Sequence, residues 1–133
     1  MAKLVISKTD IARGMPGPEG WYKAKLVSFE RVKAKKDESF NLTPIFEYTS
    51  DIDRKIQVWF SEKSLNYNNN FQKFYCAMTH QKLDPKADLD VDTDNIKIGE
   101  EVYIRVKKSV NADNGQINNT VDNYVSIKDE IPF

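Results

Sequence analysis

Trp59 stands four residues after Lys55, Phe29 lies two before Arg31, and Tyr103 alternates with Arg105 and Lys107. An aromatic ring offers a flat face on which another ring can stack, and a cation beside it attracts phosphate. A surface that combines the two can follow a charged, ring-bearing chain without reading its sequence, each stacked base contributing about 1–3 kcal/mol. Lysines extend the set. From Trp21 to Lys36 the cations Lys23, Lys25, Arg31, Lys33, Lys35 and Lys36 meet one acid, Glu30, a local balance of +5 in a chain whose 20 basic and 20 acidic residues cancel. Between Asp84 and Glu101 the acids Asp84, Asp88, Asp90, Asp92, Asp94, Glu100 and Glu101 outnumber Lys86 and Lys97, a balance of −5. The expectation is a basic region that attracts a polyanion and an acidic loop held away from it.

Strands must carry these residues. Tyr22, Ala24 and Leu26 alternate with Lys23, Lys25 and Val27, the period of a strand with one buried face, which should run from Trp21 to about Val32. Lys35 to Ser39 makes a turn into a second strand, Phe40 to Tyr48, where Phe40, Phe46 and Tyr48 read as core and Pro44 demands an edge or a bulge. In the third strand Ile56, Val58 and Phe60 alternate with Lys55, Gln57 and Trp59. Trp59 is then a stacking platform, or, if the register slips by one, a plug beneath the helix that follows. Trp21 is open to the same two readings. Phe71, Phe74, Tyr75 and Met78 form an i, i+3, i+4, i+7 stripe capped by one of Asn68 to Asn70. Val102, Ile104 and Val106 mark a fourth strand, Asp113-Asn114-Gly115 a hairpin turn, and Ile117 to Ile127 a fifth strand.

Three strands, a helix and a two-strand hairpin is the order of an all-β fold with one helix, the five-stranded OB-fold barrel with its helix between strands 3 and 4. This domain should occupy residues 21–127, after a lead-in of residues 1–20. In that lead-in Leu4-Val5-Ile6 is followed by Met15-Pro16-Gly17-Pro18-Glu19-Gly20, a run that excludes regular structure. The first loop of such a barrel folds over the ligand, which assigns Lys33, Lys35 and Lys36 to phosphate contact.

Catalysis has little to work with. Cys76 and His80, four apart, are two ligands where a structural zinc needs four. Asp90, Asp92, Asp94 and Glu101 fall at positions 1, 3, 5 and 12 of a calcium loop, but Asn95 replaces the turn glycine and the stretch leads into a strand. No nucleophile elbow or phosphate-cradling loop is present. The reading is a protein that is not an enzyme and uses no metal or cofactor. A single cysteine excludes an internal disulfide, and no apolar run approaches membrane-spanning length. A soluble, cytoplasmic protein with no membrane partner is expected.

The last five residues, Asp129-Glu130-Ile131-Pro132-Phe133, read as a short stiff tip in residues 128–133, with Pro132 fixing φ and Ile131 biased to an extended form. A partner could take Phe133 in an apolar pocket, clamp a carboxylate there, and meet Asp129 and Glu130 with a basic rim. The tip resembles the acidic, Phe-terminated tip of bacterial and phage single-stranded DNA-binding proteins. Pro18-Glu19-Gly20-Trp21-Tyr22, Ile98-Gly99-Glu100-Glu101-Val102 and Gly115-Gln116-Ile117-Asn118 are similar to a phage family once catalogued as a domain of unknown function and now associated with single-stranded DNA binding.

The resemblance implies a protein that coats single-stranded DNA with little sequence preference, in the host cytoplasm. It implies recruitment of replication, recombination and repair proteins through the tip. Trp59, Lys55, Lys23, Lys25, Phe29, Arg31, Lys33, Lys35, Lys36, Tyr103, Arg105 and Lys107 are the candidate DNA contacts. Two features depart from the bacterial pattern: little more than Lys128 separates the last strand from the tip, and the tip has only two acids. The alternative is a protein-interaction or assembly module with an OB-like barrel and no nucleic-acid role. The sequence leaves a homo-oligomer such as a dimer open.

Overall fold

The computed structural model describes residues 3–33 and 39–131. The alternation of Ala24 and Leu26 with Lys23 and Lys25 builds β1 (Gly20–Lys33), which pairs antiparallel with β2 (Phe40–Thr49) on one side and with β5 (Glu101–Val110) on the other. β3 (Asp53–Gln57) and β4 (Phe60–Ser61) both pair with β2, and β6 (Ile117–Ser126) pairs with β5. The result is a mostly β protein with one six-stranded antiparallel sheet in the order β3-β2-β1-β5-β6. It is not a closed barrel: β3 and β6 share no ladder.

The expected third strand is two strands, and Pro44 explains the break. The β2 ladder holds at Ile45 opposite Gln57 and resumes at Leu42 opposite Phe60. Between them Val58 donates its N–H to the Pro44 carbonyl at 2.9 Å, but Pro44 has no N–H to return. Val58 and Trp59 therefore lie outside the strand.

Inside the sheet, the helical stripe forms α2 (Asn69–Met78), started by Asn68, whose side chain accepts from the Phe71 N–H at 3.0 Å. Phe71, Phe74, Tyr75 and Met78 are all buried. Phe74 is the hub, with ring centroids 5.4 Å from Phe60 and Tyr124 and 5.9 Å from Phe46 and Phe29. Each such aromatic pair adds about 0.5–1.5 kcal/mol beyond its buried area.

The lead-in is more structured than its prolines and glycines imply. Ser7 accepts from the Asp10 N–H and starts a short helix, α1 (Lys8–Arg13). The chain then crosses one end of the gap between β3 and β6. Buried Arg54 on β3 donates to the Ala12 and Met15 carbonyls at 2.9 and 2.8 Å. Asn119 on β6 closes a reciprocal pair with Gly17, accepting from its N–H at 2.6 Å and donating to its carbonyl at 3.1 Å. A Cβ at Gly17 would sit 2.6 Å from Arg54 Nε, so only glycine fits beneath the guanidinium. No helix among the described residues is long and apolar enough to cross a membrane.

Candidate nucleic-acid interface

Whether a cation on β1 can join a common surface depends on strand parity, and a β-bulge resets that parity. Leu26 pairs with Phe46 and Ser28 with Ile45, leaving Val27 as an extra residue. Before the bulge, Ala24 and Leu26 point into the core and Lys23 and Lys25 point out. After it the odd positions turn inward.

Phe29 is thus corrected from solvent platform to core partner, stacked on Phe74. Arg31 follows it to that side, where Glu62 accepts from its Nε at 2.5 Å and its Nη2 at 3.0 Å, and its guanidinium lies 3.7 Å over the Phe40 ring. Its hydrogen bonds hold the Glu62 carboxyl below the usual carboxylate range. Lys33, opposite Phe40, is exposed at the same end of β1. The run of cations from Lys23 to Lys33 is therefore divided between two sides of the sheet. Lys35, Lys36, Pro132 and Phe133 lie outside the described residues.

The outward side of β1 and β5 does bring together candidates from separate parts of the chain. Lys23 faces Tyr103, and Trp21 faces Arg105, whose guanidinium lies 5.7 Å from the Trp21 ring. Lys107 shares this parity, since β5 alternates without interruption with buried Val102, Ile104 and Val106. Acids are interleaved with these cations. Asp122, the extra residue of a bulge in β6, accepts from Arg105 Nε at 2.7 Å and Nη2 at 3.0 Å. Glu101 lies 3.6 Å from Lys23. The acidic stretch is thus not held wholly apart from the basic one: its last residue opens β5 directly beside Lys25.

Across the next row the cross-strand neighbours read Lys55, Glu47, Lys25, Glu101. Opposite charges at that spacing attract, so this row alternates in sign rather than forming a positive stripe.

Trp59 sits at the break between β3 and β4 and is 61% exposed. It shares outward parity with Lys55, whereas Arg54 and Ile56 are buried. It is thus not a plug beneath the helix. Both Trp59 and Lys55 line a cleft of about 1120 Å³ along the gap between β3 and β6, with Ile56 and Val58 on one wall and Asn118, Asn119 and Thr120 on the other. The residues of the lead-in from Arg13 to Pro16 close one end. Arg54 is not available to a ligand there, because Asp51 also accepts from its Nε and Nη2 at 2.9 and 3.0 Å. Those hydrogen bonds hold the Asp51 carboxyl far below the usual carboxylate range.

A third cluster escaped the sequence reading. His80, the one non-glycine residue at positive φ (58°) among those described, ends α2 with its Nδ1 2.6 Å from Ser126 Oγ and its Nε2 2.8 Å from Glu100 Oε1. The ring ties the helix end to the last residue of β6 and the residue preceding β5. Below it the chain turns, with the Asp129 N–H on the Ser126 carbonyl at 3.0 Å, so the tip leaves the strand through a turn instead of extending it. The acidic loop also has a structural role. The Asp92 N–H donates to the Tyr75 hydroxyl at 3.1 Å, while Ile96 inserts into the core. No protein-family model matches this chain, and no curated protein matches its sequence.

Proposed function

We propose that this protein binds single-stranded DNA with little sequence preference, as a coating protein and not an enzyme. The observation that carries the reading is Trp59, a large ring left 61% exposed by the β3–β4 break and lining the same cleft as Lys55. Exposing a tryptophan forfeits apolar burial, and stacking with bases is one use that offsets the cost. Trp21, Tyr103 and Lys107 supply further rings and a cation on the outward side of the neighbouring strands, where Lys23 and Arg105 are engaged by Glu101 and Asp122.

The fold supports the same reading. Counting β3 and β4 as one broken strand, the path β3-β2-β1-β5-β6 is what a five-stranded OB barrel yields when opened between its third and last strands. In OB-folds the face of strands 2 and 3 with the adjacent loops binds oligonucleotides. On this reading the chain is a phage-type single-stranded DNA-binding protein acting in the host cytoplasm in replication, recombination or repair. The segment from Asp129 to Phe133 recruits its partner proteins through two acids and an apolar end.

The interleaved charges favour a second reading, a protein-interaction module. The row Lys55, Glu47, Lys25, Glu101 suits a partner surface of mixed sign better than a uniformly anionic chain. Fluorescence titration with an oligo-dT strand at several salt concentrations separates the two. Tryptophan quenching that weakens steeply with salt is expected for DNA binding. Absence of both quenching and gel retardation at low salt would sink it and leave the interaction module.

A further inference from the structure

The mixed-sign row on the outward side of the sheet has an order that suits one partner. Lys55 on β3, Glu47 on β2, Lys25 on β1 and Glu101 at the start of β5 stand side by side in the ladders, and all four are exposed. Their strand neighbours turn the other way into the core, Arg54 and Ile56 beside Lys55 and Phe46 and Tyr48 beside Glu47, so the four share one face. With neighbouring strands about 4.8 Å apart, the row is about 14 Å long.

The row is also uncommitted. Lys25, Glu47 and Lys55 form no salt bridge with any described residue, although each has an opposite charge on the next strand. Glu101 reaches Lys23 at 3.6 Å, with both side chains largely in water. A uniformly anionic or cationic partner sets like charges against two of the four. The matching surface reads negative, positive, negative, positive, and this chain carries it, because an alternating row of four becomes its own complement when reversed. A two-fold axis parallel to the strands, passing between β2 and β1, makes that reversal. It sets Lys55 against Glu101 of the second copy and Glu47 against its Lys25, each pair occurring twice. In the flanking row, Asp53 and Thr49 then meet Tyr103 and Lys23 of the second copy, and no like charges face each other. A two-fold axis across the strands sets every charge on its own kind and is excluded.

We propose that two copies of this chain pair face to face through Lys55, Glu47, Lys25 and Glu101, about a two-fold axis that runs along the strands between β2 and β1. Exposed ion pairs fix register and partner choice more than they add affinity, so the dimer is weak and salt-sensitive. It rests on the row alone and on neither reading of function, and its loss would leave both standing.

The test is the mass of the full chain by light scattering over a range of concentrations at low salt, with variants of the two central residues. Both side chains are exposed, and circular dichroism checks that each variant keeps its fold. The wild type is expected to approach the mass of two chains and to return to one in high salt. Lys25→Glu alone and Glu47→Lys alone each set like charges across the axis twice and are expected to stay at one chain. Mixed in equal amounts, the two variants restore every opposite pair and are expected to regain the mass of two. The reversed pair Lys25→Glu/Glu47→Lys keeps the net charge, again complements itself, and is expected to dimerise like the wild type. A wild type that is monomeric throughout overturns the proposal. So does a single variant that dimerises, a mixture that stays monomeric, or a reversed pair that stays monomeric.

Discussion

The centre of the sheet and its open gap join strands by different means. Between β2, β1 and β5 the backbone ladder does the joining, and the outward side chains Lys23, Lys25, Tyr103 and Arg105 are left to meet solvent and one another. At the gap there is no ladder, and side chains substitute for it: Arg54 and Asn119 hold the lead-in across one end. Two consecutive residues show the consequence. Arg54 is buried and saturated by Asp51, Ala12 and Met15, whereas Lys55 is exposed with no salt bridge among the described residues. A cation is open to a ligand only where the fold does not already need its hydrogen bonds.

Breaking the clasp should have the largest effect. Arg54→Ala removes hydrogen bonds that tie β3 to the lead-in and should cost about 2–3 kcal/mol in urea unfolding, a limited sum because half-exposed Asp51 regains water. Gly17→Ala should destabilise by the same route, since its Cβ meets a guanidinium held on three partners. A loss confined to a few tenths would show that the lead-in is not part of the folded unit.

On the ligand side of the contrast, Trp59→Ala should weaken oligo-dT binding by about 1–3 kcal/mol, roughly 5- to 150-fold, with stability little changed. Trp21→Ala should have the smaller effect on binding, because that ring lies beneath Arg105. Equal losses in the two variants would move the platform from the gap to the centre of the sheet.

Acid should loosen the clasp before it touches the ladder. The Asp51 carboxyl is depressed in the folded state from its ordinary 3.8, so its stabilisation is complete above that value and is lost as pH falls towards the folded pKa. Asp51→Asn should flatten this part of the acid-unfolding curve. The smallest effect belongs to single lysines. Lys25→Ala should lower the salt slope of DNA binding by roughly 1, whereas Arg31→Ala, which removes a cation already held by Glu62, should leave the slope unchanged.

Local pattern determined much of this protein. The α2 stripe and its asparagine cap, the Asp113-Asn114-Gly115 turn and the order of strands around one helix follow from spacing and turn chemistry, because each depends on residues within a few positions of one another. Pro44 announced a fault in the second strand, since a missing N–H is a property of the residue alone. The α1 helix was legible too, in the Ser7 and Asp10 pair, but the prolines and glycines after it masked the signal.

What only the tertiary structure decided are the features that need a partner far along the chain. The bulge at Val27 is a mismatch between two strands, and it turned Phe29 inward and carried Arg31 to Glu62. His80 became a bridge because Ser126 and Glu100 arrive beside it from β6 and the start of β5. Composition could count the cations, but whether each was free or consumed depended on acids brought alongside by pairing: Glu101 for Lys23, Glu62 for Arg31, Asp122 for Arg105 and Asp51 for Arg54. The open gap is likewise a property of the assembled sheet, since no single strand records that its neighbour is missing.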